Sequence, residues 1–116
     1  MNSHDIGKIG EDAVAIYIDK IGCSIIKRNF RTRNGEIDVI FRDGDIVVFG
    51  EVKTRRSNSY GMPCESVDLK KRNKIINVAR QFFSVLGYSS QKIRFDVFEV
   101  YFNEKKIRHI KNAYSL

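Results

Sequence analysis

The 116-residue chain predicts one α/β domain, 1–116, in which helices cover both faces of a central sheet. Apolar residues recur at helical spacing in two stretches, 4–21 and 65–86, and the segments between and after them carry strand patterns. Ile46-Val47-Val48-Phe49 is an unbroken apolar run, as expected of a strand buried on both sides. The element order is helix, three strands, helix, strands.

Hydrophobic residues make up 42% of the chain and charged residues 30%, which suits a packed core and excludes a disordered protein. Lys and Arg number 21 against 14 Asp and Glu, for a net charge of +7. The resulting field attracts polyanions, nucleic acid foremost, although such charge serves solubility equally well. Cys23 and Cys64 lack CxxC spacing and a nearby histidine pair, so free thiols in a reducing compartment are expected. Met-Asn-Ser-His-Asp at the start lacks the basic and apolar segments of a signal peptide, and no apolar stretch approaches ~18 residues. The expectation is a soluble, cytoplasmic protein.

The first helix, 4–21, has its apolar face at Ile6, Ile9, Ala13, Val14, Tyr17, Ile18 and Ile21, with Ser3 or Asp5 as cap and Gly22 as stop. Gly7 and Gly10 weaken a helix unless its face must approach other backbone closely. Glu11 lies at the margin of the stripe, either as a solvated residue favouring the helix dipole or as part of a site. Strands follow over 24–31, 36–42 and 45–53, with Asn34-Gly35 marking the first turn. In the second strand Ile37, Val39 and Phe41 alternate with Glu36, Asp38 and Ile40. Residues 54–64, with Pro63, read as a loop. The second helix, 65–86, has its apolar face at Val67, Ile75, Val78, Ala79, Phe82, Phe83 and Leu86, and Gly87 ends it. In the fourth strand, 92–102, the apolar phase changes from Ile93, Phe95 and Val97 to Phe98, Val100 and Phe102, which predicts a bulge or burial of both faces. Asp96 within it reads as a structural partner for Arg94 or a neighbouring lysine. A short basic strand, 105–110, comes last.

Glu36, Asp38, Glu51 and Lys53 are charged residues in what should be a buried strand pair. Burying a carboxylate costs several kcal/mol unless it is paired or holds a metal, so their concentration points to a site. A two-residue turn at Asp43-Gly44 would pair Arg42 with Asp45, Phe49 with Asp38 and Glu51 with Glu36, and would put these charged residues on one face. A bound divalent cation, or Lys53, would relieve their repulsion.

Gly10-Glu11-Asp12-Ala13, Gly35-Glu36-Ile37-Asp38-Val39-Ile40, Glu51-Val52-Lys53-Thr54-Arg55, the helical segment from Val67 to Ala79, and Arg94-Phe95-Asp96-Val97 resemble the YraN-like family of small bacterial proteins. That family lies within the PD-(D/E)XK nuclease superfamily and is similar to archaeal Holliday-junction resolvases. A Glu-x-Lys tripeptide alone has no weight, whereas its combination with the preceding aspartate strand and the helix order is specific. Ile37 stands where the superfamily has its nominal proline. Gly50 stands where an apolar residue is expected, a departure that would loosen the strand at the metal site.

The resemblance implies a restriction-endonuclease-like αβββαβ core with a mixed central sheet, and a Mg2+-dependent DNA endonuclease, resolvase-like, that is structure-selective or non-specific. Asp38, Glu51 and the Val52 carbonyl would hold Mg2+, with Mn2+ as a substitute. Lys53 would orient or deprotonate the attacking water, and Glu11 would bind a second metal or a metal water. Glu36 carries no assigned role. Lys71 and Arg72 would contact phosphate, while Arg31, Arg33, Arg55, Arg56, Lys70 and Lys74 would supply affinity for the DNA backbone, branched or linear. A symmetric double cut would require a homodimer. The alternative is an accessory nucleic-acid-binding module of the same fold with little or no cleavage.

Overall fold

The structure, a computed structural model, describes residues 2–57, 69–86 and 91–115. Helix α1 spans Ser3–Lys20. Its cap is Asn2, whose side-chain oxygen accepts the Asp5 N–H at 2.9 Å, so Ser3 and Asp5 lie within the first turn instead of capping it. The buried stripe is Ile6, Gly10, Val14 and Ile18, and this four-residue spacing leaves Ile9 and Ile21 exposed. Gly10 belongs to the stripe because α1 sits directly on the sheet, where a Cβ would collide with Thr54 Oγ1. Gly22, at φ +86°, ends the helix as expected.

Strands β1 (Ser24–Thr32), β2 (Gly35–Asp43) and β3 (Ile46–Arg55) form an antiparallel meander. The chain then passes through α2 (Leu69–Leu86) to β4 (Lys92–Tyr101), parallel to β3, and β5 (Lys106–Tyr114), antiparallel to β4. The sheet order is β1-β2-β3-β4-β5, so the sheet is mixed and the order αβββαββ. The last strand runs four residues beyond its expected end at Ile110. Thr54 and Arg55, expected in a loop, complete β3. The expected loop over 58–64 with Pro63 and Cys64, the helix start with Val67, and the stop at Gly87 lie outside the described residues.

Each helix covers one face. Ile75, Val78, Ala79 and Phe82 of α2 pack on Ile40, Val47, Phe49, Phe95 and Val97, while Val14 and Ile18 of α1 pack with Val39, Phe41, Val48, Phe98 and Val100. The apolar run of β3 thus divides between two cores, and the phase change in β4 reflects burial on both faces, with a register shift against β5 between Phe95 and Val97. Phe49 anchors the α2 side, its ring 5.4 Å from that of Phe83 and 5.6 Å from that of Phe95.

The central hairpin differs from expectation in two ways. Asp43 pairs with Ile46, so the turn residues are Gly44 and Asp45, with Gly44 supplying the positive φ of +62°. Ile40 therefore faces Phe49, and the described ladder ends at Val39 and Gly50. The offset of two residues preserves which face each β3 residue occupies, yet it places Asp38 and Glu51 one step beyond the last pair, where Phe49 was expected opposite Asp38. The alternation of β2 also slips: Ile37 joins the core under α2, whereas Val39 and Phe41 lie under α1. The slip falls at Asp38, where pairing with β3 stops.

Gly50 does not loosen the strand. A Cβ there would lie 2.8 Å from Val39 Cγ1 and 2.9 Å from Phe98 Cε2, so packed side chains fill the space that the missing methyl leaves. Gly50→Ala is expected to destabilise the protein by about 1–3 kcal/mol through overpacking, read from urea unfolding. An unchanged midpoint would show that Phe98 can retreat at no cost.

Candidate functional site

Asp38 lies where β2 and β3 part. Its Oδ2 accepts the Val52 N–H at 2.8 Å, so a side chain takes over the backbone bonding of β3 where the described ladder has ended. Burial is the largest influence on its carboxyl and raises the pKa; the Val52 N–H opposes this, and the charges of Glu11, Glu51 and Glu36 add to the rise. The net effect moves it from 3.8 to about 6.

Glu51 is 8% exposed and sits on β3 beside Val97 of β4. Its Oε1 is paired with the Lys71 ammonium of α2, while its Oε2 is buried with no hydrogen-bond partner among the described residues. An orphaned carboxylate oxygen is costly, and it marks where a cation or a donor would be favourable. Glu36, Asp38 and Glu51 line one small space with Ile75 and Tyr114. Tyr114 comes from the unexpected extension of β5; burial first, and then the Glu51 charge, push its phenol well above the usual range. Its ring stacks on Phe95 at 5.0 Å, and the Arg72 guanidinium lies 5.3 Å from its centre.

On the α1 side Glu36 and Asp38 also line an open cleft of about 500 Å³ with Glu11, Asn29, Arg28, Arg31, His4 and Lys8. Asp38 therefore joins the two spaces, and Glu11 reaches the same carboxylates from the helix. Lys53 lines neither space. It stands beside Glu99 of β4 in the parallel register, and Glu99 is fully buried, accepting from Tyr101 Oη at 3.0 Å. Among the described residues no group of three or more His, Cys, Asp or Glu side chains is disposed to hold a metal ion. Asp38 and Glu51 alone, which line the small space beside Tyr114, fall short of that number.

The basic residues flank this centre unevenly. Arg31 pairs with Glu36 at 3.2 Å, Lys71 is against Glu51, and Arg72 lies over Tyr114. Arg33, Arg56, Lys70 and Lys74 are exposed, and Arg55 is half-buried at the end of β3. His4, Lys8 and Arg28 were not expected at the cleft, since nothing in the sequence pattern tells which helix side chains reach β1. Arg28 is tied to Asp12 at 2.7 Å.

Asp96 has a different role. It is fully buried, and Arg94 donates to both its oxygens at 2.8 and 2.9 Å, with the Asn112 N–H at 2.9 Å and His109 Nε2 at 2.7 Å. Burial alone would raise its pKa, but the bonds from His109, Arg94 and Asn112 prevail and hold it low. His109 bonds Tyr17 Oη through Nδ1 at 3.1 Å and stacks on Phe98. This network fastens α1, β4 and β5 together. The expected Arg94–Asp96 pair is present; the parts played by His109 and Tyr17 carried no sequence signal.

A mixed sheet with a helix on each face, and carboxylates gathered where two central strands separate, defines a mixed α/β protein with an acidic centre. The profile described as "Uncharacterised protein family UPF0102" matches residues 10–100, and the chain belongs to this family. It is 45% identical to a UPF0102 protein of Alkaliphilus metalliredigens over 97% of this chain and 99% of that one. It is 44% identical to one of Clostridioides difficile over 98% and 100%, and 42% identical to one of Clostridium kluyveri over 97% and 95%.

The raised Asp38 pKa has a stability consequence. Because the folded carboxyl titrates near 6 and the unfolded one near 3.8, folding takes up a proton in that window. Its stabilising contribution is present below the unfolded value and is lost as pH rises through about 6. Asp38→Asn keeps an acceptor for the Val52 N–H and removes the charge. In chelator at pH 7.5 it should stabilise the protein by up to about 3 kcal/mol, with the gain vanishing toward pH 4, as read by thermal unfolding. A loss of stability at pH 7.5 would contradict this account of the site.

Proposed function

We propose that this protein is a Mg2+-dependent DNA endonuclease, resolvase-like, acting on branched or otherwise structured DNA in the cytoplasm. The observation that carries this reading is a desolvated Asp38 beside a Glu51 whose buried Oε2 has no hydrogen-bond partner among the described residues. These groups repel each other as they stand, and a hard cation taking oxygen ligands fits them. Asp38, Glu51 and the Val52 carbonyl are the residues that would hold Mg2+ or Mn2+, with Glu11 assigned to a water of the ion's shell. When bound, the ion would polarise the non-bridging phosphate oxygens and stabilise the leaving oxygen.

The chain's own groups supply the rest. Lys53 projects from the same strand face as Glu51 and is assigned to orient the attacking water or take its proton. Lys71, Arg72, Arg31 and Arg33, with Arg55, Arg56, Lys70 and Lys74, are assigned to the phosphate backbone, which makes binding sequence-independent and steeply salt-dependent. Cutting two strands symmetrically would take a homodimer.

The Lys71–Glu51 ion pair favours one second reading, an accessory nucleic-acid-binding module in which lysine holds the carboxylate and cleavage is weak or absent. Wild type, Asp38→Ala and Lys53→Ala are to be compared on branched and linear DNA with Mg2+, Mn2+ or EDTA. Cleavage by the wild type alone, abolished by EDTA and reduced at least ~100-fold by either substitution, is the expected outcome. Cleavage indifferent to EDTA or to both substitutions would overturn the mechanism, and DNA binding without cleavage would select the accessory module.

A further inference from the structure

Asn29 lies between two of the carboxylates, Glu11 and Glu36. It sits on β1 at φ +53°, a left-handed conformation that asparagine tolerates better than most residues, between the pairs Arg28–Val39 and Phe30–Ile37. Its side chain lines the cleft with Glu11, Glu36 and Asp38. With the amide nitrogen turned toward the carboxylates, the orientation that satisfies all of them, it lies 3.1 Å from Glu11 Oε1 and 3.2 Å from Glu36 Oε1. An amide nitrogen has two hydrogens, and here each has one acceptor.

We infer that Asn29 is a positioning residue that limits the centre to one divalent cation. The inference rests on the proposed Asp38–Glu51 cation site and concerns what the neighbouring carboxylates do beside it. Two oxygens bonded along the separate N–H directions of one planar amide lie roughly 5.5 Å apart, whereas Mg2+ at ~2.1 Å from each would need them within about 4.2 Å. While the amide stays in place, no ion can touch both Glu11 Oε1 and Glu36 Oε1. Glu36 is further engaged by Arg31 at 3.2 Å. The amide holds both carboxylates at the cleft wall, so Glu11 is withheld from a second metal shared with Glu36.

The test counts ions and does not depend on cleavage. Mn2+ is titrated into the full chain and free Mn2+ is read by electron paramagnetic resonance for wild type, Asn29→Asp and Asn29→Gly. Circular dichroism confirms that each is folded; glycine tolerates the left-handed backbone. The wild type should bind one Mn2+. Asn29→Asp, which places an acidic oxygen where the amide was, should bind two, and Asn29→Gly should take the second ion roughly tenfold more weakly than Asn29→Asp. Such a gain is not produced by structural damage. Two ions in the wild type, or one in both variants, would overturn this inference and leave the nuclease reading standing. No ion in the wild type would overturn the nuclease reading itself, and this inference with it.

Discussion

The Asp38 carboxylate replaces a backbone acceptor at the point where β2 leaves β3, and its bond to the Val52 N–H at 2.8 Å joins the fold to the site. Without such an acceptor the Val52 N–H would be left without this bond between two cores. With it, a charged group is drawn into a place where burial and the charges of Glu11, Glu51 and Glu36 oppose its ionisation. The strand alternation slips at the same residue, so Asp38 opens both to the cleft under α1 and to the small space beside Tyr114.

The molecule treats its buried and half-buried carboxylates in contrasting ways. Asp96 has donors on both oxygens, from Arg94, His109 and the Asn112 N–H, and its ionised form is favoured. Asp38 has one N–H and several like charges; Glu51 has a lysine on one oxygen and, among the described residues, no hydrogen-bond partner on the other. The first arrangement is complete in itself and stabilises the fold. The second is incomplete, and perturbed, under-satisfied acids of that kind concentrate at functional sites. This contrast, more than the net charge of +7, is what supports a cation-dependent role.

The elements were legible because hydrophobic periodicity is local: both helices, the hairpin and the doubly buried β3 follow from it. Gly10 was readable as a close approach, and the structure supplies its neighbour, Thr54. What the sequence could not convey was register. One residue of difference in the turn, Gly44-Asp45 in place of Asp43-Gly44, moves every pairing by two and brings Asp38 and Glu51 to neighbouring positions. Long-range partners were equally hidden, since the approach of Tyr114 to Glu51, of Lys71 to Glu51 and of Asn29 to Glu11 depends on how distant elements dock. Asp38 and Glu51 were therefore identifiable as charges out of place, but their environment was not.

Anomalous diffraction from crystals of the wild-type protein soaked in Mn2+ tests the proposed centre most directly, because it locates the ion irrespective of substrate. A single peak in contact with Asp38, Glu51 and the Val52 carbonyl oxygen is expected, with the Lys71 ammonium moved off Glu51. Absence of a peak there, with the Lys71–Glu51 pair intact at saturating Mn2+, would contradict the proposed centre.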